Sequence, residues 1–206
     1  MSASLVGSEM CIRDSTRAHA KYFSEELGAD PEKMQVMYLE ADTSIYYPHQ
    51  IEKPEPAKGK YTVLYFGSIL PLQGVDIVLE AAERLKDRTD ICFYIIGPIG
   101  EKMTKPSGPN IHYIQWLSQD KLSDYIAFSD LCLAGHFNRE INKAKRTIPG
   151  KAYIYRAMEK PMILGENPAN HELYSEKEPG ISFVEMGSGK KLAEKILECR
   201  DRWSRR

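Results

Sequence analysis

The densest positive cluster in the chain is Lys143-Ala144-Lys145-Arg146-Thr147-Ile148-Pro149-Gly150-Lys151. It lies between an apolar strand-like run, Leu131 to Ala134, and a helix expected from Gly150 to Met158. A lysine in the first turn of a helix works against the helix dipole unless an anion neutralises it. Lys151, with Arg146 in support, is therefore the candidate for holding a diphosphate or a phosphorylated leaving group. The competing reading is a solvated charge run, which most such runs are.

A second candidate is the loop Gly67-Ser68-Ile69-Leu70-Pro71-Leu72-Gln73-Gly74, between the strand expected over Tyr61 to Phe66 and a helix starting near Val75. Gly67 and Gly74 allow a tight turn and close approach of backbone to a ligand. Free N–H groups at the helix start favour an anion. The plain alternative is a βα turn whose glycines serve geometry alone. There is no G-x-G-x-x-G, so a dinucleotide site has little support. His136 follows the run Leu131 to Ala134 and is either a ligand-facing group or a structural histidine; Glu140, a little further on, is a weaker carboxylate candidate.

The elements that must position these residues alternate regularly. Apolar strands are expected at Tyr61 to Phe66, Ile91 to Ile96, Ile111 to Trp116, Leu131 to Ala134, Met162 to Leu164 and Ile181 to Val184. Helices are expected at Val75 to Leu85, Ser118 to Phe128 with Ser118 as cap, Gly150 to Met158, Ala169 to Tyr174 and Lys190 to Cys199. Continuous apolar strands alternating with helices predict a parallel sheet covered on both faces. The fold class is thus α/β, a Rossmann-like doubly wound parallel sheet, with ligands at the carboxyl ends of its strands. Upstream, residues 17 to 27 predict a helix stopped by Gly28, and Val36 to Leu39 a short strand. Residues 48 to 60, rich in Pro, Lys and Glu, predict a solvated linker and a domain boundary.

Composition narrows the function classes. A net charge of −1 gives no electrostatic footprint for nucleic acid. No apolar run approaches the ~20 residues that span a bilayer. Cys11, Cys92, Cys132 and Cys199 lie far apart without a CxxC pair, which argues against a disulfide or zinc framework and fits a reducing cytoplasm. Residues 1–15 show no persistent periodicity, and charged Glu9, Arg13 and Asp14 interrupt any signal-peptide core. They resemble a translated sequencing-adapter tag and are expected to stand outside the fold.

Taken in order, Gly-Ser-x-x-Pro-x-Gln-Gly-Val-Asp from 67, Ile-Ile-Gly at 95 to 97, Asn110 to Trp116, Leu122 to Asp130, Ala157 to Leu164 and Asn170 to Leu173 form a pattern. It resembles the donor-binding domain of family 4 glycosyltransferases of the GT-B fold, over roughly residues 61 to 199. The resemblance implies that residues 16–59 are a remnant of an N-terminal acceptor domain with its linker. Residues 60–206 would be the nucleotide-sugar donor-binding domain. Carried over, it places Gly67, Ser68, Gln73 and Gly74 at the donor diphosphate. The family usually offers Arg and Lys there, where this sequence has Ser68 and Gln73, which can hydrogen-bond phosphate but bring no charge. The resemblance places Trp116 with Leu117 at the base, with a core role for Trp116 as the rival. It also implies glutamates at positions 146 and 154, where this sequence has Arg146 and Ile154; the cluster ending in Lys151 resembles a Pro-small-Lys variant found in related sugar transferases. Glu172 follows Asn167 to His171, a segment that resembles the loop before a carboxylate-bearing short helix in the family, and its role is left open. The implied reaction transfers a sugar from a nucleotide diphosphate donor to a glycan, lipid or small-molecule acceptor, in the cytoplasm, without a cofactor or metal. Polysaccharide biosynthesis and peripheral membrane contact through the N-terminal half are what the family commonly shows. Two rivals remain: a non-catalytic nucleotide-binding module, favoured by the departures at Ser68, Gln73, Arg146 and Ile154, and a dinucleotide oxidoreductase, disfavoured by the strand ending Ile96-Gly97-Pro98.

Overall fold

The computed structural model of the chain describes residues 3–6, 9–14, 16–68 and 70–205; for residues 3–14 it describes the backbone alone. In chain order the strands and α-helices are β1 (Ala3–Val6), β2 (Glu9–Asp14), α1 (Arg17–Leu27), β3 (Met34–Val36), β4 (Tyr61–Phe66), α2 (Val75–Arg84), β5 (Ile91–Ile96), β6 (Ile111–Ile114), α3 (Gln119–Phe128), β7 (Leu131–Gly135), α4 (Asn142–Arg146), α5 (Gly150–Ala157), β8 (Met162–Gly165), β9 (Ile181–Val184) and α6 (Gly189–Trp203).

Among the described residues the main sheet has six strands in the order β6-β5-β4-β7-β8-β9, all pairs parallel. The apolar strands predict this arrangement because both sheet faces must be covered. Alternate residues of β5 supply the two faces: Ile91, Phe93 and Ile95 pack with α2 and α6, and Cys92, Tyr94 and Ile96 pack with α3 and α5. Helix α2 meets the first face through Val75, Val78, Leu79, Ala81 and Ala82, and α6 through Leu192, Ala193 and Ile196. The chain winds outward from β4 to β6, then returns to β7 on β4's other side. That reversal opens a crevice at the carboxyl ends of β4 and β7, the place where open α/β sheets take ligands.

Several expectations are corrected. The strand expected over Val36 to Leu39 lies instead at Met34–Val36, directly after the turn Pro31–Lys33, and Met37 and Leu39 lie exposed beyond it. Residues 1–15 do not stand wholly outside the structure. β1 pairs antiparallel with β2, and β2 pairs parallel with β3, whose edge offers unpaired backbone groups. Residues 1, 2, 7, 8 and 15, and the side chain of Cys11, lie outside the described part. Ser118 precedes α3, but its hydroxyl makes no capping bond. Ala169 to Tyr174 holds only the single 3₁₀ turn Asn170–Glu172. The linker is anchored rather than solvated throughout: Ala57 is fully buried and Lys53 pairs with Asp130, and just before it Ser123 Oγ donates to the Ile45 carbonyl at 2.8 Å. Among the described residues no helix is long and apolar enough to cross a membrane.

Helix α1 is held to the main domain at its first turn, where a helix leaves four N–H groups unpaired. Glu172 accepts the N–H groups of Arg17 and Ala18, both at 2.8 Å. Thr16 Oγ1 accepts that of His19 at 3.0 Å while donating to the carbonyl of Arg146, and Ala20 N–H reaches the Thr16 carbonyl at 3.0 Å. A carboxylate there also complements the helix dipole. Tyr38 adds its hydroxyl to the same carboxylate at 2.8 Å. Glu172→Ala is expected to cost about 1–2 kcal/mol, the scale of a lost cap with its orphaned donors. Hydrogen exchange should show the amides of α1 opening faster, with those of β4, β5 and β7 unchanged.

Candidate functional site

A cleft of about 420 Å³ opens at the carboxyl ends of β4, β5 and β6. Its wall includes Gly67, Ser68 and Gln73 after β4, Gly97 and Pro98 after β5, Gln115 to Leu117 after β6, His136 after β7, and Pro149 to Lys151 at the start of α5. Six of the eight residues singled out by the sequence meet here: Gly67, Ser68, Gln73, Trp116, His136 and Lys151.

The other two are elsewhere. Gly74 caps α2 at φ +69°, and a Cβ on it would lie 2.8 Å from the Asn138 nitrogen and the Phe137 Cβ, so the start of α2 is covered by protein. The helix terminus that lines the cleft is that of α5. Arg146 closes α4, a short helix formed inside the expected charged loop, and its guanidinium lies 3.4 Å from the centre of the Tyr22 ring. Stacking on an aromatic face suits the planar guanidinium and turns it toward α1. Ile154, one turn into α5, packs against the hydrophobic core. Glu140 is exposed beside Arg139, and Glu172 caps α1. Ile69 lies outside the described residues.

The cleft floor depends on close backbone approach. Gly67 N–H donates to the Ile96 carbonyl at 3.0 Å, and a Cβ on Gly97, at φ +117°, would lie 2.0 Å from the Gly67 oxygen. A Cβ on Gly67 would lie 2.2 Å from Gln73 Oε1 and 2.8 Å from Lys151 Nζ. Glycine at both positions leaves the loops touching and the lysine head group room above them.

Lys151 is only 6% exposed. Its Nζ donates to Gln73 Oε1 at 2.8 Å and sits 4.0 Å from the centre of the Tyr65 ring. Among the described residues no carboxylate pairs with it, and burial holds its ammonium down to about 7. His136 is also buried; burial first, then the neighbouring Lys151, pushes its imidazole down to about 4. Nδ1 of His136 is 3.2 Å from the Thr147 carbonyl. A carbonyl can only accept, so Nδ1 carries the proton and Nε2 of the neutral ring is an acceptor. Trp116 is not core: β6 ends at Ile114, and the indole is 76% exposed at the cleft wall. Leu117, Ile96, Pro98 and Leu122 make the surface around it largely apolar. An apolar cleft with an aromatic plate at one wall and a buried cation at its floor suits an anionic ligand with a flat body.

Which residues would fill these roles was only partly visible beforehand. Gly97 and Gln115 were missed as cleft residues; the Ile-Ile-Gly ending of β5, facing the loop after β4, was the available signal for Gly97.

Residues 60–201 match the family described as glycosyl transferases group 1. No curated protein matches the sequence. Among solved structures, a glycosyltransferase from Rickettsia africae is similar with a TM-score of 0.72 at 15% identity, over 93% of this chain and 53% of that one. Anabaena HepE, solved in complex with UDP and glucose, gives a TM-score of 0.68 at 14% identity over 92% of this chain and 53% of its own. The C-terminal domain of LpcC, a group 1 glycosyl transferase family protein of Francisella tularensis, gives 0.57 at 19% identity over 78% of this chain and 88% of that domain. The chain thus spans about half the length of the first two, and at these identities the likeness is one of fold.

The buried lysine has a consequence for stability. Between pH about 7 and its ordinary value of 10.5, the unfolded chain holds a proton at Lys151 that the folded chain has released. Stability therefore rises with pH across that window, because the unfolded state binds more protons. Lys151→Met lacks this contribution. Urea unfolding at about pH 7 and about pH 9 is expected to show the parent chain gaining stability relative to the variant at the higher pH.

Proposed function

The chain belongs to the group 1 glycosyl transferase family, and from that premise we propose that its cleft binds the nucleotide diphosphate of a sugar donor. The observation that carries this reading is the Lys151 ammonium, buried at the cleft floor without a carboxylate partner among the described residues. A diphosphate arriving there supplies the missing counter-charge, which favours the protonated lysine. Lys151 would then stabilise the negative charge that grows on the nucleotide as the sugar departs, a role fixed cations fill without reorganisation and without a bound metal. Gly67 lets the phosphates approach the loop after β4, and Ser68 offers a hydroxyl. Trp116 would stack on the base, and Nε2 of His136 would accept from a hydroxyl of the donor. Anabaena HepE, which shares the fold, was solved with UDP-glucose, in keeping with a nucleotide sugar as the ligand class.

In this reading the chain is the donor-binding part of a hexosyl-type transferase. Its acceptor is a glycan, a lipid or a small molecule, and it works in the cytoplasm or at the inner membrane face. Residues 60–206 form the donor domain, and residues 16–59 belong with an acceptor domain. The chain by itself is proposed to bind the donor rather than to complete the transfer.

A second reading keeps the nucleotide and drops the reaction. It is favoured by Ile154, which is packed against the core and brings no hydrogen-bond acceptor to a ribose, and by the uncharged Ser68 and Gln73. Titration calorimetry with UDP, GDP and ADP tests the shared part. One of the three is expected to bind, to quench the emission of exposed Trp116, and to weaken at least ~10-fold in Lys151→Ala, as for a lost charge-assisted hydrogen bond. Binding that survives Lys151→Ala unchanged would remove the lysine from the site, and absence of binding by all three would sink both readings. Sugar transfer by a longer chain carrying this cleft separates the first reading from the second.

A further inference from the structure

Gln73 brings no charge to a phosphate, yet it is the most connected polar side chain at the cleft floor. Its Oε1 accepts from Lys151 Nζ at 2.8 Å and from the Tyr65 hydroxyl at 3.2 Å, while its Nε2 donates to Ser68 Oγ at 3.2 Å. Its backbone carbonyl accepts from Phe137 N–H at 3.2 Å, which ties the loop after β4 to the loop after β7. The bareness of Gly67 keeps the two side-chain ends in contact, since a Cβ there would collide with both. The titratable groups facing the lysine are Tyr65 from β4 and His136 from the loop after β7.

We propose that Gln73 is a positioning residue: its amide oxygen fixes the Lys151 ammonium at one point of the cleft floor, and it is that point, rather than position 151, that carries the charge for the ligand. The proposal rests on the donor-site reading. Because the ends of the two side chains meet at 2.8 Å, exchanging them returns an ammonium and an amide to the same junction. The charge then comes from the loop after β4 instead of from α5. An amide oxygen suits this task better than a carboxylate. It accepts from the ammonium without cancelling its charge, leaving the cation for an anionic ligand.

The test compares the parent chain with Lys151→Gln, Gln73→Leu and the double exchange Gln73→Lys/Lys151→Gln. UDP, GDP and ADP are titrated by calorimetry, and the amine is followed by lysine side-chain NMR across pH in the ligand-free proteins. Lys151→Gln is expected to lose at least ~10-fold in affinity, and the double exchange to return to within ~3-fold of the parent. In Gln73→Leu the lysine loses its acceptor, so its titration and the upper pH limit of nucleotide binding both move to lower pH while the melting temperature shows a folded protein. A folded double exchange that binds no better than Lys151→Gln overturns the proposal. So does an unchanged lysine titration in Gln73→Leu, whether or not any nucleotide binds. Parent and Lys151→Gln binding alike would instead overturn the donor-site reading.

Discussion

A parallel sheet buried on both faces leaves polar chemistry only its ends. Every residue of β5 is buried, one face packed under α2 and α6 and the other under α3 and α5, and only its last side chain, Ile96, reaches the cleft wall. The functional groups must sit in the loops that leave the carboxyl ends. The reversal of winding between β4 and β7 decides which loops face each other. The close contact of Gly67 with Gly97 is the local form of the same constraint. Neighbouring parallel strands lie ~4.8 Å apart, so their loops leave side by side and only glycine lets the backbones touch.

The basic cluster divides according to what each part packs against. Lys143 and Lys145 are exposed on α4, whose Ala144 is buried. Arg146 turns away from the cleft to stack on Tyr22, and its carbonyl receives Thr16. Lys151 alone reaches the floor. One stretch of sequence thus does two jobs, docking the segment before β4 and charging the cleft. Glu172 belongs to the docking side, since its carboxylate is used by the first turn of α1 and by Tyr38. That carboxylate is therefore spoken for by the protein itself.

The electrostatics of the floor rest on what is missing around the lysine. Buried cations are ordinarily paired, because desolvation costs more than a single neutral hydrogen bond returns. Here the returns are one amide oxygen and the rings of Tyr65 and Phe66, and the proton is held correspondingly loosely. His136 beside it is kept neutral by the same burial and by the lysine itself, with its tautomer set by Thr147. Such a pair is poised to respond to an anion, and perturbed groups in a cleft are a recognised mark of function.

The sequence by itself determined the sheet. Uninterrupted apolar runs this short, rich in β-branched and aromatic residues, read as strands covered on both sides, and their alternation with amphipathic helices leaves a doubly wound topology with little freedom. It also marked Gly67, His136 and Lys151, because each lies at a strand end or a helix start, where periodicity places it without knowledge of packing; Gln73 was marked by the family resemblance alone. Tertiary structure decided the rest, since those outcomes depend on partners distant in the chain. Trp116 is exposed because β6 stops at Ile114 as the sheet's edge strand, and an edge strand has neighbours on one side only. Arg146 left the site because Tyr22 is 124 positions away in sequence and 3.4 Å away in space. Gln73 holds Lys151 because the bare Cα of Gly67 leaves room for both side-chain ends, and no reading of the loop after β4 or of α5 alone contains that contact.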